Sequence, residues 1–382
     1  MPKIIPITKN ILVVAGDPSG DLHGANLIKA LKEKDPELYV AALGGSGMQK
    51  VSDRFIYNVA EIGAAGFSAP LRHFFMWAKL IRLIRKFMEE RRPACVIAID
   101  FYGFNHQVLG LAAHRRIPAY YYVSPQVWAS RPGRIESIAR LVKHMLVILP
   151  FEADIYSQAK VPCTFVGHPL LDILPEPKTP SPGNGTAKSW KIGILPGSRP
   201  QEISRHLPLF MEAYYKIKES FPNATAHIFA VPGIKDKRIA DLCGEKTPAD
   251  DKSVMVVREE NYSHRAEMDF CLTASGTATL ENALLGLPMI VAYQMPRLTY
   301  EVAKRIVKVP YISMVNILSG RMIVQEFIQS EATSSRIAAK VMFYLQNPDK
   351  LAALRSELLA LRHLFGNSGA SSRAADIILK GL

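Results

Sequence analysis

The signatures that would settle a chemistry at a glance are missing from this chain of 382 residues. There is no GxxxxGK(S/T), no GxSxG and no HExxH, so P-loop ATPase, serine hydrolase and zincin chemistry have no residues to carry them. No DxD occurs, which removes the usual ligand pair of metal-dependent nucleotide-sugar enzymes, and no metal is expected. GxGxxG is absent as well, so the dinucleotide fingerprint fails and no cofactor is expected. Cysteine is scarce. Its four copies, Cys95, Cys163, Cys243 and Cys271, show neither CxxC pairing nor metal-ligand spacing and read as reduced and structural. No apolar run approaches the roughly 20 residues a spanning helix needs. The N-terminal stretch MPKIIPITKNILVVAG lacks the layout of a secretory signal, so a cytoplasmic protein without a membrane span is expected.

What is present is a globular composition, 48% hydrophobic and 21% charged, with a formal net charge of +13. That excess fits acidic partners: nucleic acid, anionic lipid or phosphorylated metabolites. The length exceeds what one core usually organises, so two domains are expected. Ile11 to Ala15 is a β-type run that closes on Gly16-Asp17-Pro18-Ser19-Gly20-Asp21 before a helical pattern from Leu22 to Lys32. Tyr39 to Leu43 ends in a second glycine turn, Gly44 to Gly47, and Gly63 to Gly66 suggests a third. This is the alternation of a doubly wound α/β sheet.

From Leu71 to Arg92 the pattern is a basic amphipathic helix. Phe74, Trp77, Leu80, Ile81, Ile84, Phe87 and Met88 share one arc, and Arg72, Lys79, Arg82, Arg85 and Lys86 the other. Such a helix either packs on a core with a solvated cationic face or lies on an anionic membrane surface. Ala94 to Ile99 is then a buried strand that delivers Asp100 at its C-terminal end, where open α/β sheets keep their ligands. Asp100 fits a general base or a helix cap, but Asn105 is better placed to cap the helix that runs to Arg116. His168, before Pro169 in a loop, fits either a place in the site or a local hydrogen bond.

Pro175 to Ser189 reads as a linker. Beyond it, Ile192 to Leu195 is a strand that stops at Pro196-Gly197 and passes Ser198 and Arg199 to a helix, a turn that is either an ordinary βα connection or an anion site. Phe270 to Thr273 delivers Ser275-Gly276-Thr277 to a second helix start, with Glu281 one turn on and able to accept from ribose hydroxyls. Two such cradles in one half make a diphosphate the natural guest.

Taken in order, GDPSGD (Gly16 to Asp21), YVSPQVW (Tyr122 to Trp128), Gly167-His168-Pro169, LPGSR (Leu195 to Arg199), ASGTATLE (Ala274 to Glu281) and the run from Pro310 through Asn316 to Arg321 resemble the lipid-A-disaccharide synthase family. The resemblance spans nearly the whole chain. It implies a GT-B fold: two Rossmann-like doubly wound α/β domains facing a cleft, an N-terminal acceptor domain over residues 1–174, a C-terminal UDP-sugar domain over 190–345, and C-terminal helices over 346–382. It implies inverting transfer of 2,3-diacylglucosamine from UDP to the 6-hydroxyl of 2,3-diacylglucosamine 1-phosphate, a step in lipopolysaccharide synthesis.

The family's base falls on Asp100. UDP contacts would fall on Gly197, Ser198, Arg199, Ser275, Gly276, Thr277, Glu281 and Asn316, and sugar or acceptor contacts on Asp17, Ser19, Gly20, Ser124 and His168. The implied setting is the cytoplasmic face of the inner membrane, reached through helix 71–92, with no nucleic acid partner; a homodimer stays open. Two positions depart from the family pattern: Asp17-Pro18 where Glu is usual, and Gly103 where a second Asp is usual, so that second Asp is not essential here. The alternatives are a UDP-GlcNAc 2-epimerase-like enzyme and a non-catalytic nucleotide-sugar or anionic-lipid binding protein.

Overall fold

The computed structural model describes residues 9–59, 70–125, 133–177, 189–231, 234–243, 251–259, 261–306 and 309–382. The turn expected at Gly63 to Gly66, Trp128 with Arg131, and most of the expected linker lie outside the described residues, as do the side chains of Arg72 and Phe74.

The chain divides into two compact units, one made of residues 1–172 with 365–382, the other of 173–364. In the first, the elements run β1 (Asn10–Ala15), α1 (Pro18–Lys34), β2 (Tyr39–Gly44), α2 (Ser46–Val51), β3 (Arg54–Asn58), α3 (Pro70–Arg91), β4 (Cys95–Ile99), α4 (Tyr102–His114), β5 (Ala119–Tyr122), α5 (Arg134–Ala139), β6 (His144–Val147), α6 (Pro150–Gln158) and β7 (Cys163–Phe165). The sheet is parallel, in the order β3-β2-β1-β4-β5-β6-β7. Its central strands are buried along their whole length, which is why they read as unbroken apolar runs instead of alternating ones.

Helix α3 spends its apolar arc on this core. Leu80, Ile84, Phe87 and Met88 are buried among Val96, Ala98, Val108 and Leu109, with Trp77 and Ile81 packed against them. Burying a large apolar side chain is worth about 1.5–3 kcal/mol, so these residues have no reason to leave the core for lipid. That corrects the expectation for the described part of this arc as a membrane-inserting face. Lys79, Arg82, Arg85 and Lys86 remain exposed, and among the described residues no helix is long and apolar enough to cross a membrane.

The second unit runs β8 (Lys191–Leu195), α7 (Pro200–Ser220), β9 (Thr225–Phe229), α8 (Asp236–Leu242), β10 (Val254–Val257), β11 (Phe270–Ala274), α9 (Thr277–Leu284), β12 (Met289–Tyr293), α10 (Arg297–Ile306), α11 (Met314–Ser319), β13 (Glu326–Ile328), α12 (Ser334–Gln346) and α13 (Pro348–Arg362). Its sheet is also parallel, in the order β10-β9-β8-β11-β12-β13. Helix α7 places Ile203, Leu207, Phe210, Met211, Tyr214 and Ile217 in the core, the stripe its 3.6-residue period requires.

The helical block expected at 346–382 is shared between the units. Helix α13 stays with the second, while the last helix, α14 (Ala370–Lys380), packs on α1 in the first. Asp172 anchors its start by accepting from the backbone N–H groups of Gly369, Ala370 and Ser371 at 2.5, 3.2 and 3.1 Å, as a carboxylate at a helix N-terminus should.

Candidate functional site

In each sheet the strand order reverses at one place, between β1 and β4 in the first unit and between β8 and β11 in the second. Ligands of open α/β sheets bind outside the carboxyl ends of the strands at that reversal. Ala15 pairs with Ile99 and Leu195 with Thr273, so the turn from Gly16 lies beside Asp100, and the turn from Pro196 beside Ser275.

Asp100 sits in a forced backbone. It and Phe101 both have φ 43°, and neighbouring Val123 has φ 60°, a left-handed region that costs non-glycine residues about 1–3 kcal/mol each. The surroundings hold it there. The Asp100 N–H donates to the Val123 carbonyl at 3.1 Å, and its own carbonyl accepts from Tyr121 Oη at 2.6 Å and Asn105 Nδ2 at 2.8 Å. Asn105 also donates to the Ile99 carbonyl at 2.8 Å. It therefore does not cap α4, as its spacing suggests; the cap position is Phe101, and Asn105 reaches back from the first turn to fix the strand end.

Burial, and then the charge of Asp17, push the Asp100 carboxyl up to about 7, opposed by a backbone hydrogen bond from Phe101. Asp17 itself caps α1, accepting from the Gly20 N–H at 2.6 Å. The Phe101 ring lies against Gly16, where a Cβ would come within 2.1 Å of it, and Trp77 of α3 packs on Phe101 and Phe104 with centroids 5.5 and 4.8 Å apart. At Gly103 a Cβ would meet nothing within 4 Å.

The second glycine turn already holds an anion from the chain. Asp21 accepts from the N–H groups of Gly45, Gly47 and Met48 at 2.7, 2.8 and 2.9 Å, so it closes that turn against α2 instead of opening it to a ligand. Ser19 lies 3.5 Å from Nε2 of buried His23, whose ring meets His168 edge-on. Burial lowers the His23 pKa to about 4 and that of His168 to about 3, so both are neutral. His168 accepts from the Leu170 N–H at 3.2 Å, the local bond that its place before Pro169 allowed for. Ser124 is buried and bonded to Tyr156 Oη at 2.8 Å.

In the second unit the two cradles differ. At the start of α7, Glu202 accepts from the N–H groups of Ser198 and Arg199 at 3.2 and 3.3 Å and from Arg199 Nη1 at 2.9 Å. The donors expected for phosphate thus carry the chain's own carboxylate. Gly197, at φ 117°, would put a Cβ 2.8 Å from Glu202. At the start of α9 the arrangement is open: Gly276 and Thr277 are exposed, a Cβ on Gly276 would meet nothing within 4 Å, and Ser275 Oγ donates to the Ile312 carbonyl at 2.7 Å. Glu281, one turn along α9, is ion-paired to buried Arg265.

Asn316 is fully buried and uses its whole amide internally. Nδ2 donates to the Val324 carbonyl and Glu326 Oε1, both at 2.8 Å, while Oδ1 accepts from the N–H groups of Ile323 and Val324 at 2.7 and 3.0 Å. Through Glu326, which also accepts from the Ile312 N–H at 2.9 Å, the Asn316 side chain is tied to the loop that carries Ile312. Glu326, Arg265, Tyr121 and the role of Glu202 escaped the sequence reading; only Glu202 left a signal there, a Glu three residues after the N-cap Arg199, spaced to reach back to its N–H. Among the described residues no group of His, Cys, Asp and Glu side chains gathers as a metal site.

The model of a family described as lipid-A-disaccharide synthetase matches residues 11–378. The lipid-A-disaccharide synthase of Geobacter metallireducens is 37% identical, over 98% of this chain and 97% of its own. That of Nitrosococcus oceani is 32% identical, over 96% and 95%. Among solved structures, the calicheamicin glycosyltransferase CalG4 superposes with a TM-score of 0.63 at 13% identity, covering 98% of both chains. A UDP-GlcNAc 2-epimerase of Neisseria meningitidis bound to UDP-GlcNAc gives 0.64 at 13%, covering 97% of this chain and 100% of that one. At such identities the likeness is one of fold, and it agrees with two Rossmann-like units of the GT-B class.

Proposed function

This chain belongs to the lipid-A-disaccharide synthetase family and is a glycosyltransferase, and from that premise we propose that it moves 2,3-diacylglucosamine from UDP to the 6-hydroxyl of 2,3-diacylglucosamine 1-phosphate with inversion. Asp100 takes the proton of the acceptor hydroxyl as that oxygen bonds to the anomeric carbon. The bond from that carbon to the diphosphate breaks, and UDP leaves with the electron pair. The observation that carries this reading is a carboxylate at the reversal point of the first sheet, held in a strained backbone and with its pKa raised to about 7, the range in which a general base works best at neutral pH. Arg199, the open N-terminus at Gly276 and Thr277, and Ser275 hold the departing diphosphate; Gly197 lets the chain turn close to it, and Glu281 accepts from the ribose. Asp17, Ser19, Gly20, Ser124 and His168 border the acceptor side, and Asn316 acts through its loop. The exposed cations of α3 supply electrostatic attraction to an anionic membrane surface, at the cytoplasmic face.

Three incubations test this: UDP-GlcNAc alone, UDP-diacylglucosamine alone, and the latter with diacylglucosamine 1-phosphate. UDP release confined to the third supports the transferase. Turnover of UDP-GlcNAc alone indicates the epimerase reading, and no turnover in any mixture a binding protein.

The base must be ionised to act, so kcat/KM should rise with pH and level off above an inflection near 7. Asp17 contributes to that inflection by repulsion. Asp17→Asn, which can still cap α1, should move the inflection to lower pH. A pH–rate profile unchanged in that variant would deny the coupling of the two carboxyls.

A further inference from the structure

Arg265 is buried, 9% exposed, in a single 3-10 turn, Arg265–Glu267. Nη1 donates to Glu281 and Nη2 to Glu259 Oε2 at 2.5 Å, and its backbone N–H donates to Glu259 Oε1 at 3.3 Å. The guanidinium lies 5.3 Å from the ring centroid of Phe229 and 5.0 Å from that of Tyr262, and Nε makes no hydrogen bond with the described residues. Its position is thus set by two carboxylates and two rings, with little freedom left.

As a source of stability this is a poor exchange, since apolar residues of the same volume usually serve a buried site as well or better than an ion triad. What the triad provides is a carboxylate in a fixed place. One Arg between two Glu leaves a net negative charge, and Glu281, with its side chain 15% exposed, keeps acceptor capacity beyond its bonds to Arg265 and the Tyr262 hydroxyl, because an ionised carboxylate offers about four lone-pair sites. It also stands one helical turn from the open start of α9, on the face where a nucleotide's phosphates would be held.

We infer that Arg265 is a positioning residue for nucleotide recognition: locked by Glu259, it aims Glu281 at the ribose hydroxyls of bound UDP and so makes the site select a ribonucleotide. The inference rests on Glu281 as the ribose acceptor. Arg265 touches no ligand itself; its effect passes through Glu281.

Calorimetric Kd values for UDP and 2′,3′-dideoxy-UDP test it on the intact chain. The parent protein should prefer UDP by about 10- to 100-fold, the range of hydrogen bonds to a charged group. Glu281→Gln should cut the ratio to about threefold or less, because a neutral amide oxygen accepts more weakly than a carboxylate. Arg265→Met should do the same by weakening UDP while leaving the dideoxy nucleotide nearly unchanged, and Arg265→Lys should recover part of the preference. Should Arg265→Met fail to fold, Arg265→Lys is read alone, with an expected ratio clearly below the parent's. Equal weakening of both nucleotides, or a parental ratio in the Arg265 variants while Glu281→Gln loses it, overturns the positioning role. A parent without preference overturns Glu281 as the ribose acceptor, and this inference with it.

Discussion

Asp100→Asn is expected to lower kcat by about two to four orders of magnitude, the contribution of a placed general base. KM for the UDP-sugar should change by less than about threefold, since the diphosphate is assigned to other residues and a loss confined to kcat marks a group that acts in the transition state. The substitution is well suited to the question. Asn tolerates the left-handed backbone at this position better than most residues, and the bonds that hold the strand end, to Val123, Tyr121 and Asn105, use the main chain of residue 100 and survive.

The same variant should gain stability, in a defined pH window. The carboxyl's pKa rises from 3.8 to about 7 on folding, so the folded protein resists its ionisation. Below about pH 4 the group is neutral folded and unfolded, and its burial costs nothing through this route. Between 4 and 7 the unfolded chain ionises first, and the penalty grows; above 7 it is complete. Asp100→Asn should therefore melt higher than the parent at pH 8 and alike near pH 4. Normal turnover would remove Asp100 from the chemistry, whereas a lower melting point at pH 8 would deny that burial raises the pKa.

How much of this was legible in the chain depends on where each determinant lies. The strands Ile11 to Ala15 and Cys95 to Ile99 could be read because parallel strands covered on both faces are apolar throughout. Asp100, Ser275 and Thr277 could be placed because they follow directly from such strands. Periodicity also drew the two arcs of α3, but it carries no information on what an apolar arc meets, and the arc met the sheet. The turn at Ser198 and Arg199 was legible only in part: phosphate and carboxylate use the same donors, and Glu202 is spaced to take the two backbone N–H groups, while the exposed Arg199 guanidinium keeps further donors. Short β13 left almost no trace. It begins with a charged residue, Glu326, whose carboxylate accepts four hydrogen bonds from a segment ten or more residues earlier. Arg265 and Glu281 are likewise joined only by the fold.

That last kind of determinant yields the largest expected effect on stability. Asn316→Asp replaces the amide that donates to Glu326 Oε1 at 2.8 Å with a second carboxyl, in a place where Glu326 already accepts from Ser313 N–H at 2.9 Å, Ser313 Oγ at 2.7 Å and Ile312 N–H at 2.9 Å. Two carboxylates at this separation cannot both ionise, and the Val324 carbonyl loses its donor as well. A buried charged network broken in this way costs about 3–5 kcal/mol, which for a unit of this size lowers its melting temperature by on the order of 10 °C. The deficit should shrink on acidification, because a shared proton turns repulsion into a hydrogen bond; at pH 8 it should be full. Melting curves at pH 5 and pH 8 read this directly, with UDP affinity measured well below the transition. A variant that melted like the parent at both pH values and lost only its UDP affinity would deny the scaffold role. A scaffold role predicts the reverse order: the loop that receives Ser275 through the Ile312 carbonyl loosens first, and nucleotide binding weakens because its support has gone.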